Sequence, residues 1–489
     1  MARGKVTRAE TQRRRGVAAC PHAAEGGVLA TKTSLTGLTR FTGFKEGAND
    51  HVNPLKTKLS GVEWLGDIPE GWEVVPIRYY IDYSFSGVWG SEANVEQRTI
   101  TCYRIADFDY ARGTLKHGPL TARSYSELEI EGKLVSYGDL LLEKSGGGDA
   151  SPVGRVIFVD RCDCATCSNF IQQMRCKALG VGKYLYYIFH ALYSRQVNGL
   201  YYNQTIGIQN LKVSKYLSVK VPLPPLPEQR AIADYLDEKC GAIDAAIAEA
   251  KKGIEEYKAW KISLIDDVVC NGIVRHKCRK ETGEVWLTDI PDEWELTQIR
   301  YLFALRDERN DKPLKDVNLI SLYTDKGVVQ HADLEKTTGN KASTADGYKL
   351  VYENDIVVNI ILCWMGAVGR SAYNGVTSPA YDVYRPINPT KVLSRYYHYL
   401  FRTPRFNGKC YEEGRGIMMM RWRTYSSEFR AIKVPVPPTN EQQAIADYLD
   451  DKCAAIDAMV AEKESLIADL EAYKKSLIYE TVTGKREVG

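Results

Sequence analysis

The sequence predicts an α+β protein in which two α/β domains stand in pseudo-twofold tandem, joined by two long antiparallel coiled-coil helices. Three observations support this prediction. A helical segment, EQRAIADYLDEKC from Glu228, returns 213 positions later as EQQAIADYLDDKC from Glu441. An opening motif, GVEWLGDIPEGWE from Gly61, is repeated as GEVWLTDIPDEWE from Gly283. A proline-rich exit precedes each helix, first as VKVPLPP and then as IKVPVPP. Self-similarity at this period indicates two half-molecules of one design.

The repeats give each half the same order: an opener, a long middle region, an exit and a helix. The openers lie 222 positions apart and the helices 213, so the second middle region is nine residues shorter. We predict a disordered N-terminal extension at 1–60, a first domain at 61–226, a central helix at 227–272, a second domain at 273–438, a distal helix at 439–484 and a tail at 485–489. The ends and helices agree between the halves, whereas the middles have diverged. This suggests one frame that presents two different recognition surfaces.

The middle regions are predicted to be α/β, because both are rich in short runs of β-branched and aromatic residues. The first half contains RTITCYRI from Arg98 and VGRVIFV from Val153, and the second contains NLISLYT from Asn318 and DIVVN from Asp355. Shared landmarks in diverged surroundings predict one fold with different surface loops.

Net charge gives little information about partners. The chain has 489 residues and a formal charge of +3. Residues 1–60 hold eleven Lys or Arg against four Asp or Glu, which is +7, so the other 429 residues sum to −4. A DNA-binding surface therefore has to come from a local concentration of cations.

No apolar run reaches the ~18 residues that a membrane span needs.

Twelve cysteines without a secretory signal predict reduced thiols in the cytoplasm. Cys162, Cys164 and Cys167, with Cys176 beyond, could hold zinc, but the second half has no matching cysteines. Incidental thiols are the favoured interpretation, and no metal site is predicted.

Both helices carry a heptad seam, with apolar residues alternating by four and three. The main apolar members of the predicted seam are Leu236, Ile243, Ile247, Ile254, Leu264, Leu449, Ile456, Val460, Ile467 and Leu477. Cys240 and Cys453 hold matched seam positions, and only Lys261, Lys463, Lys474 and Thr481 weaken the apolar stripe. Pro227 and a capping box of Thr439 with Gln442 are predicted to start the helices, and Gly272 and Gly484 to end them. Because each exposed seam needs a partner, antiparallel pairing within the chain is predicted. The alternative is two amphipathic helices that pack on their own separate domains.

Candidate nucleic-acid contacts lie at the end of each middle region. The second half concentrates arginines around Trp422 and Tyr425, with Arg415, Arg421 and Arg423 as the predicted contacts. The comparable stretch of the first half is amide-rich, and its candidates are Gln204, Gln209, Asn210 and Lys212. These amides could read adenine edges or satisfy a turn. Arg155 and Arg370, at equivalent places in the two halves, could contact phosphate or hold a turn. No catalytic constellation is evident.

Together the paired openers, the segments PLPPLPEQRAIADYLD and VPVPPTNEQQAIADYLD, and GVTSPAYDVYRP from Gly375 resemble the specificity subunit of type I restriction-modification systems. The resemblance covers residues 61–489. It implies recognition domains at 73–218 and 295–430, each reading one half of a bipartite asymmetric double-stranded DNA site, with the two helices acting as a ruler. The extension at 1–60, the cysteine cluster and TCSNF from Thr166, in place of TSPAY from Thr377, depart from the pattern.

The resemblance further implies a chain without catalytic activity and without a cofactor of its own. It would recruit two modification subunits, which use S-adenosylmethionine to methylate adenine, and restriction subunits, which need ATP and Mg²⁺. Two alternatives remain open at this point. One is a fused nuclease or methyltransferase with its own recognition domains, and the other is a coiled-coil scaffold that binds protein alone.

Overall fold

The duplicated sequence folds into two equivalent halves around one helix pair. The computed structural model describes residues 56–93, 98–161, 163–177, 181–205, 207–333, 344–417 and 422–488. The predicted extension at 1–60 lies mostly outside these residues. Its last part is ordered: Thr57–Leu59 forms a strand that pairs with Asp67–Pro69 of the first opener. Because a strand of three exposed residues shows no apolar periodicity, residues 57–59 were predicted to belong to the extension.

In the described part of the first half, short strands and three helices precede the first long helix. The strands are β1 (Thr57–Leu59), β2 (Asp67–Pro69), β3 (Glu73–Pro76), β4 (Ile81–Ser86), β5 (Arg98–Tyr103), β6 (Phe108–Asp109), β7 (Thr114–Leu115), β8 (Thr121–Tyr125), β9 (Leu140–Glu143), β10 (Ser145–Gly146), β11 (Val156–Phe158), β12 (Ala165–Cys167), β13 (Ile171–Cys176), β14 (Tyr202–Thr205), β15 (Ile208–Leu211) and β16 (Lys220–Leu223). The helices are α1 (Glu127–Ile130), α2 (Val181–Ser194), α3 (Val213–Tyr216) and the long α4 (Leu226–Asn271).

The described residues of the second half repeat this order and form fewer strands than those of the first. The strands are β17 (Arg279–Glu284), β18 (Leu287–Pro291), β19 (Glu295–Gln298), β20 (Phe303–Arg306), β21 (Ile320–Tyr323), β22 (Gly327–Gln330), β23 (Lys349–Val351), β24 (Ile356–Asn359), β25 (Val368–Arg370), β26 (Gly375–Thr377), β27 (Tyr381–Pro386) and β28 (Lys433–Val436). The helices are α5 (Ile299–Leu302), α6 (Ser394–Leu400), α7 (Pro404–Glu413), α8 (Ser426–Ala431) and the long α9 (Thr439–Val482).

A four-stranded antiparallel sheet forms the centre of each domain. Its order is β11-β9-β13-β4 in the first half and β25-β24-β27-β20 in the second. The inner strands β9 and β24 are apolar runs buried along their whole length, as expected for strands covered on both faces. The exit strands β16 and β28 each pair with the strand that follows the opener, β3 and β19 respectively. The mixed helix and sheet content and the two equivalent domains confirm the predicted fold class.

The helices α4 and α9 pack against each other in antiparallel orientation. Lys261 Nζ lies 2.7 Å from Asp457 Oδ2, and Lys474 Nζ lies 2.7 Å from Asp244 Oδ1. Residues late in one helix contact residues early in the other, so the two helices run in opposite directions. At 46 residues, α4 is about 69 Å long at ~1.5 Å per residue. This pairing argues against two helices that pack only on their own domains.

The predicted seam lies at this interface. Its buried members are Leu236, Ile243, Ile247, Ile254, Leu449, Ile456 and Leu477. Its half-buried members are Leu264, Val460 and Ile467. Seam residues of α4 join the core of the first domain together with the last turns of α9, and the end of α4 joins the core of the second domain. Each helix therefore connects both halves.

Equivalent contacts join the openers and domains to the helix ends. Trp72 donates its indole N–H to Glu228 at 3.0 Å, and Trp294 donates to Glu441 at 2.8 Å. Tyr396 donates its hydroxyl to the Val269 carbonyl at 2.8 Å. In the same way, the hydroxyl of Tyr184 donates to the carbonyl of Val482 at 3.3 Å. Matching contacts in the two halves are what a pseudo-twofold axis requires.

The predicted helix ends are right at three of four places. Pro227 lies in the first turn of α4, Gly272 caps its end at φ 80°, and Gly484 follows α9 at φ 72°. The capping box of Thr439 with Gln442 was wrong, since Pro438 is the N-cap and no side chain caps α9. Gln442 is instead buried and donates to the Pro437 carbonyl at 2.8 Å. A buried amide needs its hydrogen bonds satisfied, and the proline turn offers a carbonyl close by.

No helix among the described residues is long and apolar enough to span a bilayer.

Cys162 lies outside the described residues. Cys164 is exposed, whereas Cys167 is buried in β12 and Cys176 is half-buried in β13. Burial raises the pKa of the Cys167 thiol, which favours the protonated form over the thiolate that binds zinc. Within the described part of the chain, no three His, Cys, Asp or Glu residues are grouped to hold a metal ion.

Candidate nucleic-acid interface

Each domain projects a hairpin-like loop at the same place, immediately before the short helix that leads to the exit strand. In the first half it is formed by β14 and β15, and in the second the described residues are its two ends, 415–417 and 422–423, which the bridge between Arg415 and Arg423 joins. Leu211 N donates to the Lys144 carbonyl at 2.8 Å, and Thr424 N donates to the Ile360 carbonyl at 2.9 Å. Lys144 and Ile360 follow the equivalent inner strands β9 and β24 by one residue. The two loops are therefore equivalent features on equivalent sheets.

The first hairpin, 202–211, presents amides. Gln204 and Asn210 are exposed, and Lys212 is exposed directly after the hairpin. Gln204 Nε2 donates to Asp149 at 3.2 Å. The Asn210 carbonyl oxygen accepts a hydrogen bond from Ser145 Oγ at 2.8 Å. The register pairs Gln204 with Gln209 and Asn210 with Asn203, so the two exposed amides are on opposite faces of the hairpin, and both already have partners within the fold.

Gln209 differs from its neighbours. Its side chain is 1% exposed, its Oε1 accepts from Val153 N at 3.1 Å, and its Nε2 donates to Gln204 at 3.2 Å. Side chains alternate between the faces of a strand, so the neighbour of an exposed residue points inward. Gln209 therefore holds the Gly-rich loop before Val153, and this corrects its assignment as a DNA contact.

The second hairpin, 415–423, presents arginines. Arg415 and Arg423 exchange backbone hydrogen bonds of 2.9 and 3.0 Å, which close the base of the loop. Arg415 is 74% exposed and pairs with Glu428 at 2.8 Å, and Arg423 is half-buried. Arg421 lies outside the described residues. Two of the three predicted arginines are thus brought together at the loop base.

An aromatic stack supports this second hairpin. Trp422 stacks on Tyr411 with ring centroids 5.0 Å apart and donates its indole N–H to the Tyr411 carbonyl at 3.0 Å. The ring of Trp364 also packs against the ring of Tyr411, with ring centroids 5.5 Å apart. A Cβ on Gly414 would lie 2.3 Å from the Trp422 indole nitrogen, so glycine is required for this close approach. Trp422, which the sequence places among the arginines, therefore braces the loop.

Arg155 holds a buried acid. Its Nε lies 2.9 Å from Oε2 of Glu143, whose side chain is 2% exposed. The guanidinium carbon lies 3.6 Å from the centre of the Tyr110 ring, and the Tyr110 hydroxyl donates to the same carboxylate at 3.0 Å. A guanidinium that pairs with both oxygens of a carboxylate and stacks on an aromatic ring is held in place by the fold. The geometry favours the structural alternative for Arg155 over a phosphate contact.

Arg370 lies on β25, the strand equivalent to the one that follows Arg155. Its side chain donates to Asn354 at 3.2 Å, and its backbone N–H donates to Nδ1 of His398 at 3.1 Å. Burial, together with the nearby Arg402 and Arg370, lowers the pKa of His398 to about 3, so this histidine is neutral. A phosphate contact by Arg370 stays a prediction.

Asn203, another amide of the first hairpin, is exposed on β14 beside Asn210. The structure also adds two residues that were not predicted as contacts. Asn169 and Phe170, on the turn before β13, line an open cleft of about 400 Å³ with Trp89 and Arg104. The sequence carried a signal, because TCSNF of the first half departs from TSPAY of the second, although the strand register offsets the two motifs by one residue. The departure could not be interpreted before the turn was placed on the surface.

Comparison with known proteins gives a consistent assignment. The family described as type I restriction modification DNA specificity domain matches residues 119–255 and 291–467, one match in each half. The chain is 22% identical over 448 residues to the type I restriction enzyme MjaVIII specificity subunit of Methanocaldococcus jannaschii, covering 86% of this chain and 94% of that protein. A solved structure from a study of complex assembly and conformational transition of the type I R-M system shares the fold, with TM-score 0.61, 13% identity and coverage of 86% and 99%. This protein therefore belongs to the type I restriction-modification specificity subunits and carries two recognition domains.

Proposed function

We propose that the chain reads a bipartite asymmetric DNA site, one half with each recognition domain, and that it performs no chemistry itself. The observation that carries this proposal is the pair of equivalent hairpins with different side chains, amides in 202–211 and arginines in 415–423. Two recognition hairpins that carry different side chains within one fold fit a DNA site whose two halves differ in sequence. A protein-binding scaffold would have no need of two hairpins with side chains suited to DNA.

The side chains suggest how each half binds. Arginine forks pair with phosphate oxygens or with the O6 and N7 atoms of guanine, and amides pair with the N6 and N7 atoms of adenine. We assign Arg415, Arg421 and Arg423, with Arg370, to the second half-site. For the first half-site we assign Gln204, Asn210 and Lys212. Lys212 is a phosphate contact in this assignment, since a flexible ammonium acts as a point charge.

We further propose that the helix pair of α4 and α9 docks the catalytic partners. Two modification subunits would supply S-adenosylmethionine chemistry, and restriction subunits would use ATP and Mg²⁺. The support is that exposed apolar side chains lie on the outer faces of these helices, among them Trp260, Ile262, Leu466 and Tyr473. We place the assembly in the cytoplasm, where the free cysteines Cys240 and Cys453 of the seam stay reduced.

The direct test is to co-express the full chain with its cognate modification subunits and map methylated adenines across the host genome. We expect one motif made of two short specified segments separated by a fixed gap. A motif with a single continuous segment, or no new methylation with an intact complex, would contradict the proposal. Turnover by the purified chain alone would instead support the fused enzyme.

DNA affinity separates the remaining alternative. The complex should bind its own site with an affinity that falls steeply as salt rises, because cations displace counterions from phosphate. Replacing Arg415 and Arg423 by alanine should weaken binding and leave co-purification with the modification subunits intact. A protein-binding scaffold would show no salt-sensitive affinity for DNA.

A further inference from the structure

The turn at residues 168–171 of the first domain is rigidly held next to the first hairpin. Ile171 N donates to the Ser168 carbonyl at 2.9 Å, which closes the turn. The Phe170 carbonyl accepts from Lys144 N at 3.0 Å and from Ser145 N at 3.2 Å. Ser145 in turn pairs with Asn210 of the hairpin. The turn and the hairpin are therefore joined through β10 into one continuous surface.

A second loop fixes the turn from the other direction. Gly87 N donates to the Ile171 carbonyl at 3.0 Å, and Val88 N donates to the Cys167 carbonyl at 2.8 Å. A Cβ on Gly87 would lie 2.1 Å from the Cys167 carbonyl oxygen, so only glycine permits this contact. A side chain on such a turn is preorganised, which is what specific recognition requires.

The two residues at the tip of this turn are free to contact a ligand. Asn169 is exposed, and within the described residues its amide has no hydrogen-bond partner. This distinguishes it from Gln204 and Asn210, whose amides are engaged within the fold. Phe170 is 45% exposed, although phenylalanine usually packs inside proteins. Both line the open cleft shared with Trp89 and Arg104.

We propose that Asn169 and Phe170 read one A·T base pair of the first half-site. The Asn169 amide can donate to N7 and accept from N6 of adenine, and among the described residues no hydrogen-bond partner competes for it. Its NH₂ group meets N7 while its oxygen meets the N6 amino group, and an adjacent phenylalanine can contact the thymine methyl group. Trp89, which also lines the cleft, lies under the Arg123 guanidinium, whose carbon is 4.5 Å from the centre of the Trp89 ring. The inference rests on the proposed DNA-reading function and names residues that determine specificity within it.

The corresponding turn of the second half carries different residues, and this difference supports the proposed role. The register of β13 with β9 and of β27 with β24 aligns Asn169 with Pro379 and Phe170 with Ala380. Proline and alanine offer neither an amide nor an aromatic ring. If the turn were only structural, both halves could carry the same residues. The divergence lies where two different targets require it.

The test uses the full chain in complex with its modification subunits and maps the methylated motif. Asn169→Ala and Phe170→Ala should each relax one A·T position of one half-site, with about a tenfold loss of discrimination there. Asn169→Asp should change that position toward cytosine, because a carboxylate accepts from the cytosine N4 amino group. The other half-site and the gap should stay unchanged in all three variants.

The matched control is Tyr137→Ala. Tyr137 is also an exposed aromatic of the first domain, but it precedes β9, whereas Phe170 lies at the other end of that strand. This variant should keep the wild-type motif. An unchanged motif in Asn169→Ala, Asn169→Asp and Phe170→Ala, with normal assembly and melting temperature, would overturn the inference. Failure of the wild-type complex to yield a bipartite motif would instead refute the proposed function.

Discussion

At the scale of single residues, burial decides what a polar side chain does. Arg155 and Arg415 are both arginines of a recognition domain. Arg155 pairs with a buried carboxylate, whereas Arg415 is 74% exposed beside Glu428. A charge paired inside the fold is costly to leave alone, but a surface pair contributes little. The same residue type is thus structural in one place and available for DNA in the other.

Arg155→Ala should destabilise the protein by about 3 kcal/mol, because it leaves the Glu143 carboxylate buried and unpaired. Urea unfolding followed by circular dichroism measures this change. Removing both charges, with Arg155→Ala and Glu143→Gln together, should restore part of the loss. Arg415→Ala is the matched control and should cost less than about 1 kcal/mol. Equal effects of the two arginine substitutions would show that Arg155 has no such structural role.

At the scale of elements, the polar interruptions of the heptad seam are contacts between the helices. Lys261 and Lys474 occupy equivalent seam positions, 213 residues apart, and each binds an aspartate of the opposite helix. Asp244 and Asp457 are likewise 213 residues apart. Such reciprocity arises because both helices derive from the same segment and pack about a twofold axis. From sequence these lysines only weaken the apolar stripe.

A double-mutant cycle tests the contribution of one pair. Lys474→Ala, Asp244→Ala and the double variant should give a coupling energy of about 0.5–1 kcal/mol, measured by urea unfolding. The Lys474 and Asp244 side chains are 18% and 38% exposed, against 28% and 62% for Lys261 and Asp457. The second pair serves as the comparison and should couple more weakly because water screens it more. A stronger coupling in the exposed pair would contradict this ordering.

At the scale of the whole molecule, the two helices close the chain on itself. The end of α9 returns to the first opener, where the Tyr479 hydroxyl donates to the Trp64 carbonyl at 3.1 Å. The end of α4 is held at the second domain by Tyr396. Each recognition domain is therefore anchored to both helices, and the separation of the two hairpins follows from the length of the pair.

Lengthening that pair should change the DNA target. One heptad inserted after residue 252 and another after residue 465 keep the antiparallel seam matched and add about 10.5 Å at ~1.5 Å per residue. The gap in the methylated motif should widen by up to about three base pairs, since base pairs rise about 3.4 Å. A heptad in one helix alone is the control and should lower stability. An unchanged gap with an active double insertion would contradict the ruler idea.

The sequence by itself determined the duplication, the two long helices with their seams, and most of their ends. These features depend on local periodicity and on residues such as Pro227 and Gly272, whose backbone preferences act over a single turn. Antiparallel pairing also followed, because two exposed seams in one chain need partners. The start of α9 was the exception, since Gln442 bonds to a turn carbonyl instead of capping.

Only the tertiary structure decided which polar residues of the recognition domains are free. Gln209, Arg155 and Trp422 matched a recognition chemistry in sequence, but each is occupied by partners that are distant along the chain or lie across a loop. Asn169 stood in the sequence only as part of a departure from the family pattern, and the structure places it exposed on a turn held by Lys144 and Ser145. Such contacts depend on how the sheet brings separate segments together, and no local pattern records them.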